Sequence, residues 1–110
     1  MPYGLPATVV EKLGSVFKRY PQVHRVSLYG SRAKGNFQPG SDIDLCVEGS
    51  ALTLADLFEI ENRIDDLLLP WKVDLSLRHN IDNRELLDHI DRVGVKLLDA
   101  DSSGILSANS

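Results

Sequence analysis

Asp42 and Asp44 are the residues of this 110-residue chain whose types and spacing most clearly suggest chemistry. They stand at i and i+2 in Ser-Asp-Ile-Asp-Leu-Cys-Val. On a strand that spacing puts both carboxylates on one face, with Cα atoms roughly 6–7 Å apart. Aspartate is a poor strand former, and adjacent like charges repel. Two of them interrupting an Ile-Leu-Val pattern therefore call for a neutralising cation. Mg²⁺ fits, because it takes oxygen ligands and completes its shell with water and substrate phosphates. Asp74, in the alternating run Lys72 to Arg78, supplies a third carboxylate with the same parity. Two ions on such a face could bind the attacking and leaving oxygens of an in-line displacement at phosphorus. Upstream, Gly30-Ser31 forms a small-residue turn whose N–H groups could meet a phosphate, with Arg32 beside it as a cation. Taken singly, each feature has an ordinary explanation: a turn, a solvated strand edge, a surface aspartate. Their combination points to metal-assisted phosphate chemistry.

The elements that must position these residues follow from periodicity. Leu5 to Tyr20 carries apolar residues at helical spacing, with Pro6 suited to a first turn and Pro21 as a stop. His24 to Tyr29 and Ser41 to Glu48 alternate as strands, the second with Ile43, Leu45 and Val47 on the core face. Thr53 to Leu69 reads as the longest helix, capped by Thr53 with Asp56 and ended by Pro70. Lys72 to Arg78 is a third strand. Asp82 and Glu85 resemble a capping box for a helix through Arg92, and Val95 to Leu98 is a short extended segment. The fold class expected is α+β (α/β), a small mixed β-sheet with helices packed on one face and the other face comparatively open. Residues 1–99 form one domain, and residues 100–110, small and polar, are expected to be a disordered tail.

Composition excludes several classes. A net charge of −4 is not the basic footprint of a nucleic-acid binder, so no direct nucleic-acid binding is expected. No apolar run is long enough to span a membrane. The single cysteine, Cys46, cannot form an internal disulfide or a cysteine zinc site, which fits a cytoplasmic location. Cys46 has no nearby base that would make it a nucleophile. His24 and His89 lack metal-ligand spacing and read as structural or exposed, His79 reads as a solvated loop residue, and Trp71 packs at a helix end or an interface.

Gly30-Ser31, ten residues, then Asp42-Ile43-Asp44 resembles the signature of the DNA polymerase β-like nucleotidyltransferase superfamily. YGSRAKG, SDIDLCV and WKVDLSL together are similar to the minimal nucleotidyltransferases of bacteria and archaea, over about Tyr20 to Leu98. The resemblance implies transfer of a nucleoside monophosphate, usually from ATP, with release of pyrophosphate. It implies that Asp42 and Asp44 ligate two Mg²⁺ ions, that Asp74 ligates the one beside the acceptor hydroxyl and helps remove its proton, and that Gly30, Ser31 and Arg32 hold the triphosphate. Lys34 stands where relatives often carry arginine. Many such proteins resemble antitoxins that adenylylate a tyrosine of a separately encoded HEPN-domain toxin, so a HEPN partner and an oligomer with it are implied. Two other readings stay open: a non-catalytic antitoxin that masks its toxin by binding, and a nucleotidyltransferase acting on a small molecule or RNA. The missing acceptor-binding domain and acidic balance weigh against the last.

Overall fold

Strand β1 (Arg25–Tyr29) lies at the centre of the sheet and is buried along most of its length. The structure is a computed structural model that describes residues 2–99 and 104–105. Antiparallel to β1 on one side runs β2 (Ile43–Glu48), and beyond it β3 (Val73–Leu77), parallel to β2, forms an edge. On the other side β4 (Val95–Asp99) pairs antiparallel with β1, with a register shift between Val26 and Ser27. β5 (Gly104–Ile105) pairs with β4, giving the order β3-β2-β1-β4-β5. Gly104 and Ile105 thus belong to the sheet although a disordered tail was expected from residue 100. Residues 100–103 and 106–110 lie outside the described residues.

One face carries the main core. Val26, Leu28, Ile43, Leu45, Val47, Leu75 and Leu77 meet α1 (Ala7–Phe17) and α3 (Leu54–Asp65), which bring Leu13, Phe17, Ile60 and Ile64. The apolar sides of β2 and β3 are those read from alternation, since a period of two leaves no other choice once one face is buried. α1 starts at Ala7 behind Pro6, later than Leu5, and Tyr20 is buried in the turn beyond the helix. α3 opens with the expected box: the Asp56 N–H donates to Thr53 Oγ1 (3.2 Å) and the Thr53 N–H to Asp56 Oδ2 (3.0 Å). It ends at Asp65 rather than Leu69, where i→i+3 turn bonds at Leu67 and Leu68 replace the helical ladder. Leu68 then takes a positive φ of 55°. Pro70 disfavours helix at the residue before it, so the chain leaves the helix early.

The second face is less open than alternation suggested. α4 (Arg84–Val93) lies across part of it and buries Tyr29, Cys46 and Ile90 in a small separate cluster with Ile81 and Leu86. Its cap is Asn83, whose side chain accepts the Leu86 N–H (3.1 Å); the expected Asp82 start is one residue early. α4 leaves uncovered the end of the sheet where β2 and β3 begin.

Candidate active site

At that end, register assembles three side chains into one row. Tyr29 on β1 faces Asp44 on β2, and Asp44 faces Asp74 on β3. Parity puts all three opposite the main core, where Ile43 and Leu45 point. Asp42 precedes β2 and is exposed, one turn of the pleat before Asp44. The Ile43 N–H donates to Lys72 O (2.9 Å), a bond that fixes how β3 sits against β2 and therefore how Asp74 sits against Asp44.

The carboxylates crowd one another. Burial raises the Asp44 carboxyl above the usual carboxylate range, and the charges of Asp74 and Asp42 push it further the same way. Lys72 opposes the rise with positive charge. The crowding is the property a divalent cation relieves, and the donor set is all oxygen, as Mg²⁺ requires. Among the described residues no three His, Cys, Asp or Glu side chains converge tightly enough to enclose an ion. Ions held here must draw remaining ligands from water and phosphate, which is the habit of Mg²⁺.

The turn after β1 packs directly on this row. Gly30 has φ +75°, and a β-carbon there would collide with the Asp44 carboxylate, so glycine is required both by the backbone and by the close approach. Gly30 opens α2 (Gly30–Lys34), a single short helix that ends at Gly35 in the left-handed region. The Gly30 N–H is engaged by His89, whose Nε2 accepts it at 3.1 Å. Ser31 is half-buried in the first turn, and its hydroxyl makes no hydrogen bond among the described residues.

Arg32 is placed differently from the expectation that it neutralises phosphates. It is 1% exposed, and its guanidinium donates to Tyr3 O (2.9 Å), Ser41 O (2.8 and 3.2 Å) and Pro39 O (3.3 Å). Phe37 and Trp71 lie against it, with ring centroids 5.1 and 5.4 Å from Cζ. Trp71 Nε1 donates to Pro39 O as well (2.9 Å). Arg32 therefore ties the loop before Asp42 to the approach of β3, and all three of its guanidinium nitrogens donate to backbone carbonyls. Lys72 and Lys34, both exposed, are the cations left at this end.

Two residues of the site escaped the sequence reading. His89 was read as structural or exposed, yet it holds the Gly30 amide. Its place on the inward side of α4, between Leu86 and Ile90 at helical spacing, was the available signal. Tyr29, the last residue of the alternating run His24 to Tyr29, was assigned no part in the site, but it is 9% exposed and its hydroxyl meets Ser76 Oγ (3.4 Å). Its phenol is raised by burial first, then by the charges of Asp44 and Asp74. It packs in one cluster with Cys46 and Ile90. Cys46 itself is fully buried and its thiol is pushed up to about 11, mainly by burial, so it is no nucleophile.

Comparison with known proteins bears on the family and the fold. Residues 11–103 match the family described as polymerase beta, nucleotidyltransferase. A protein of Methanocaldococcus jannaschii, provisionally named a protein adenylyltransferase, is 32% identical over 76 residues, covering 68% of this chain and 76% of its own. Two crystal structures share the fold. One, of a toxin–antitoxin with AMP-PNP, superposes with a TM-score of 0.69 at 21% identity, over 84% of this chain and 75% of the other. The second, a tri-AMPylated HEPN toxin of Shewanella oneidensis in complex with its MNT antitoxin, gives 0.65 at 18% identity, over 86% and 73%. With a carboxylate row on β2 and β3, a glycine turn packed on it, and a family match spanning most of its length, the chain belongs to the polymerase β nucleotidyltransferase family.

Proposed function

We propose that this protein transfers AMP from ATP to a hydroxyl of a protein partner, a tyrosine of a HEPN-domain toxin, in a Mg²⁺-dependent reaction, and so acts as an antitoxin. The observation that carries the reading is the Asp44–Asp74 register beside the Gly30 turn, which crowds carboxylates where a triphosphate can reach them. The name of the archaeal relative and the toxin–antitoxin complexes of the same fold support the choice of a protein acceptor.

Asp42, Asp44 and Asp74 would hold Mg²⁺, which supplies charge neutralisation for the triphosphate and the developing pyrophosphate. Asp74 lies at the sheet edge, where an acceptor can approach, and takes the hydroxyl proton. The acceptor oxygen forms a bond to the α-phosphorus as the bond to the β-phosphate bridge breaks, and pyrophosphate leaves. Gly30 and Ser31 hold the β- and γ-phosphates; because His89 occupies the Gly30 amide in the free protein, that hydrogen bond is exchanged when phosphate arrives. Lys72, close enough to influence Asp44, takes the cationic role first assigned to Arg32.

The test is mass spectrometry of the partner encoded beside this gene after incubation with ATP and Mg²⁺. An AMP adduct on a tyrosine is expected. A complex that neutralises the toxin with no adduct would favour masking by binding instead.

A further inference from the structure

The outer flank of α3 carries a strip of unlike character on the same line. Leu54 and Phe58 are 53% and 59% exposed, unusual for side chains of that size. Glu61 and Asp65 continue the strip at i+7 and i+11 from Leu54, so all four fall on one side of the helix over roughly 16 Å. That side is distinct from the one holding Leu57, Ile60 and Ile64 in the core, and from the one where Arg63 donates to Tyr20 Oη (2.7 Å) against α1. It overlooks the β3 edge.

At its acidic end the strip opens into a groove of about 310 Å³ between α3 and β3, bounded by Glu61, Asp65, Trp71, Lys72 and Asp74. The groove therefore runs into the carboxylate row. Its far wall is an unpaired strand edge. The Lys72 carbonyl faces β2, so by alternation the N–H and C=O groups of Val73 and Leu75 point away from β2, and β3 has no neighbour on that side among the described residues. Glu61 and Asp65 make no ion pair among the described residues, and together they outnumber Lys72 even when Asp74 is neutralised by a metal.

We infer that this strip and groove are where the acceptor docks, and that its docking segment is an extended stretch of a protein bearing Lys or Arg and apolar side chains around the modified hydroxyl. The inference rests on the transferase reading above. The acidic end selects a basic segment by charge, Leu54 and Phe58 offer it apolar anchors, and the β3 edge can take it as an added strand. A second copy of this chain is a poor occupant, because the strip would set carboxylates against a protein of net charge −4.

The probes are synthetic peptides with one tyrosine, flanked either by arginine and leucine or by glutamate and serine, incubated with ATP labelled at the α-phosphate and Mg²⁺. Wild-type protein should label the basic–apolar set about tenfold or more above the acidic set, as expected for complementary charge. Glu61→Lys/Asp65→Lys and Leu54→Ser/Phe58→Ser variants should lose that preference while binding ATP with Mg²⁺ as the wild type does. Equal labelling of the two sets, labelling of neither, or variants that behave as wild type would overturn the docking proposal. Concentration-dependent dimers abolished by the Leu54→Ser/Phe58→Ser change would also overturn it, in favour of self-association. Loss of ATP binding in the wild type would instead overturn the transferase reading itself.

Discussion

Arg32 and Asp44 show how side chains of similar promise divide between support and chemistry. Arg32 looked like a phosphate ligand by its place beside Gly30-Ser31, but three backbone carbonyls and two rings hold it inside. Lysine keeps the charge and loses the planar fork, so Arg32→Lys should cost roughly 2–4 kcal/mol of stability in denaturant unfolding. It should not act as a conservative change. Asp44 is the reverse case. Its carboxyl is raised in the fold by burial and by Asp74 and Asp42, so its contribution to stability is greatest below the unfolded carboxylate range and is lost as pH rises through the folded value. Asp44→Asn should therefore raise Tm at neutral pH by a few degrees, while Mg²⁺ with ATP, proposed to stabilise the wild type, should not stabilise the variant. Gly30→Ala, which forces a β-carbon onto that carboxylate at a positive φ, should cost about 1–3 kcal/mol and damage activity with it.

At the scale of elements, much was legible because the relevant signals are local. Thr53 and Asp56 announced α3, and alternation fixed which sides of β2 and β3 carry Asp44 and Asp74. What sequence hid was contact between distant segments. No periodicity in Arg84–Val93 says that the helix crosses the second face of the sheet, places His89 against Gly30, and buries Tyr29 and Cys46. Nor does a buried arginine differ in sequence from a ligand; only the carbonyls of Tyr3, Pro39 and Ser41 reveal its role. The α4 placement is testable through its cap. Asn83→Ala should cost about 1 kcal/mol and loosen the cover over Cys46. Alkylation of Cys46, very slow in the wild type at pH 8 because the thiol is buried and raised, should quicken in the variant as mass spectrometry follows it.

The whole molecule is a sheet with one face devoted to stability and the other divided between α4 and the carboxylate row. The proposed chemistry depends on the row itself. The most direct measurement compares the wild type with the Asp42→Asn/Asp44→Asn double variant, using ATP labelled at the α-phosphate, Mg²⁺ and the partner protein. Losing several kcal/mol of charge stabilisation should lower the initial rate of label transfer by about a thousandfold or more, with the variant as well folded as the wild type. Label transfer at an equal rate in the two proteins would contradict the account, because the carboxylates that fold and register bring together would then have no part in the reaction.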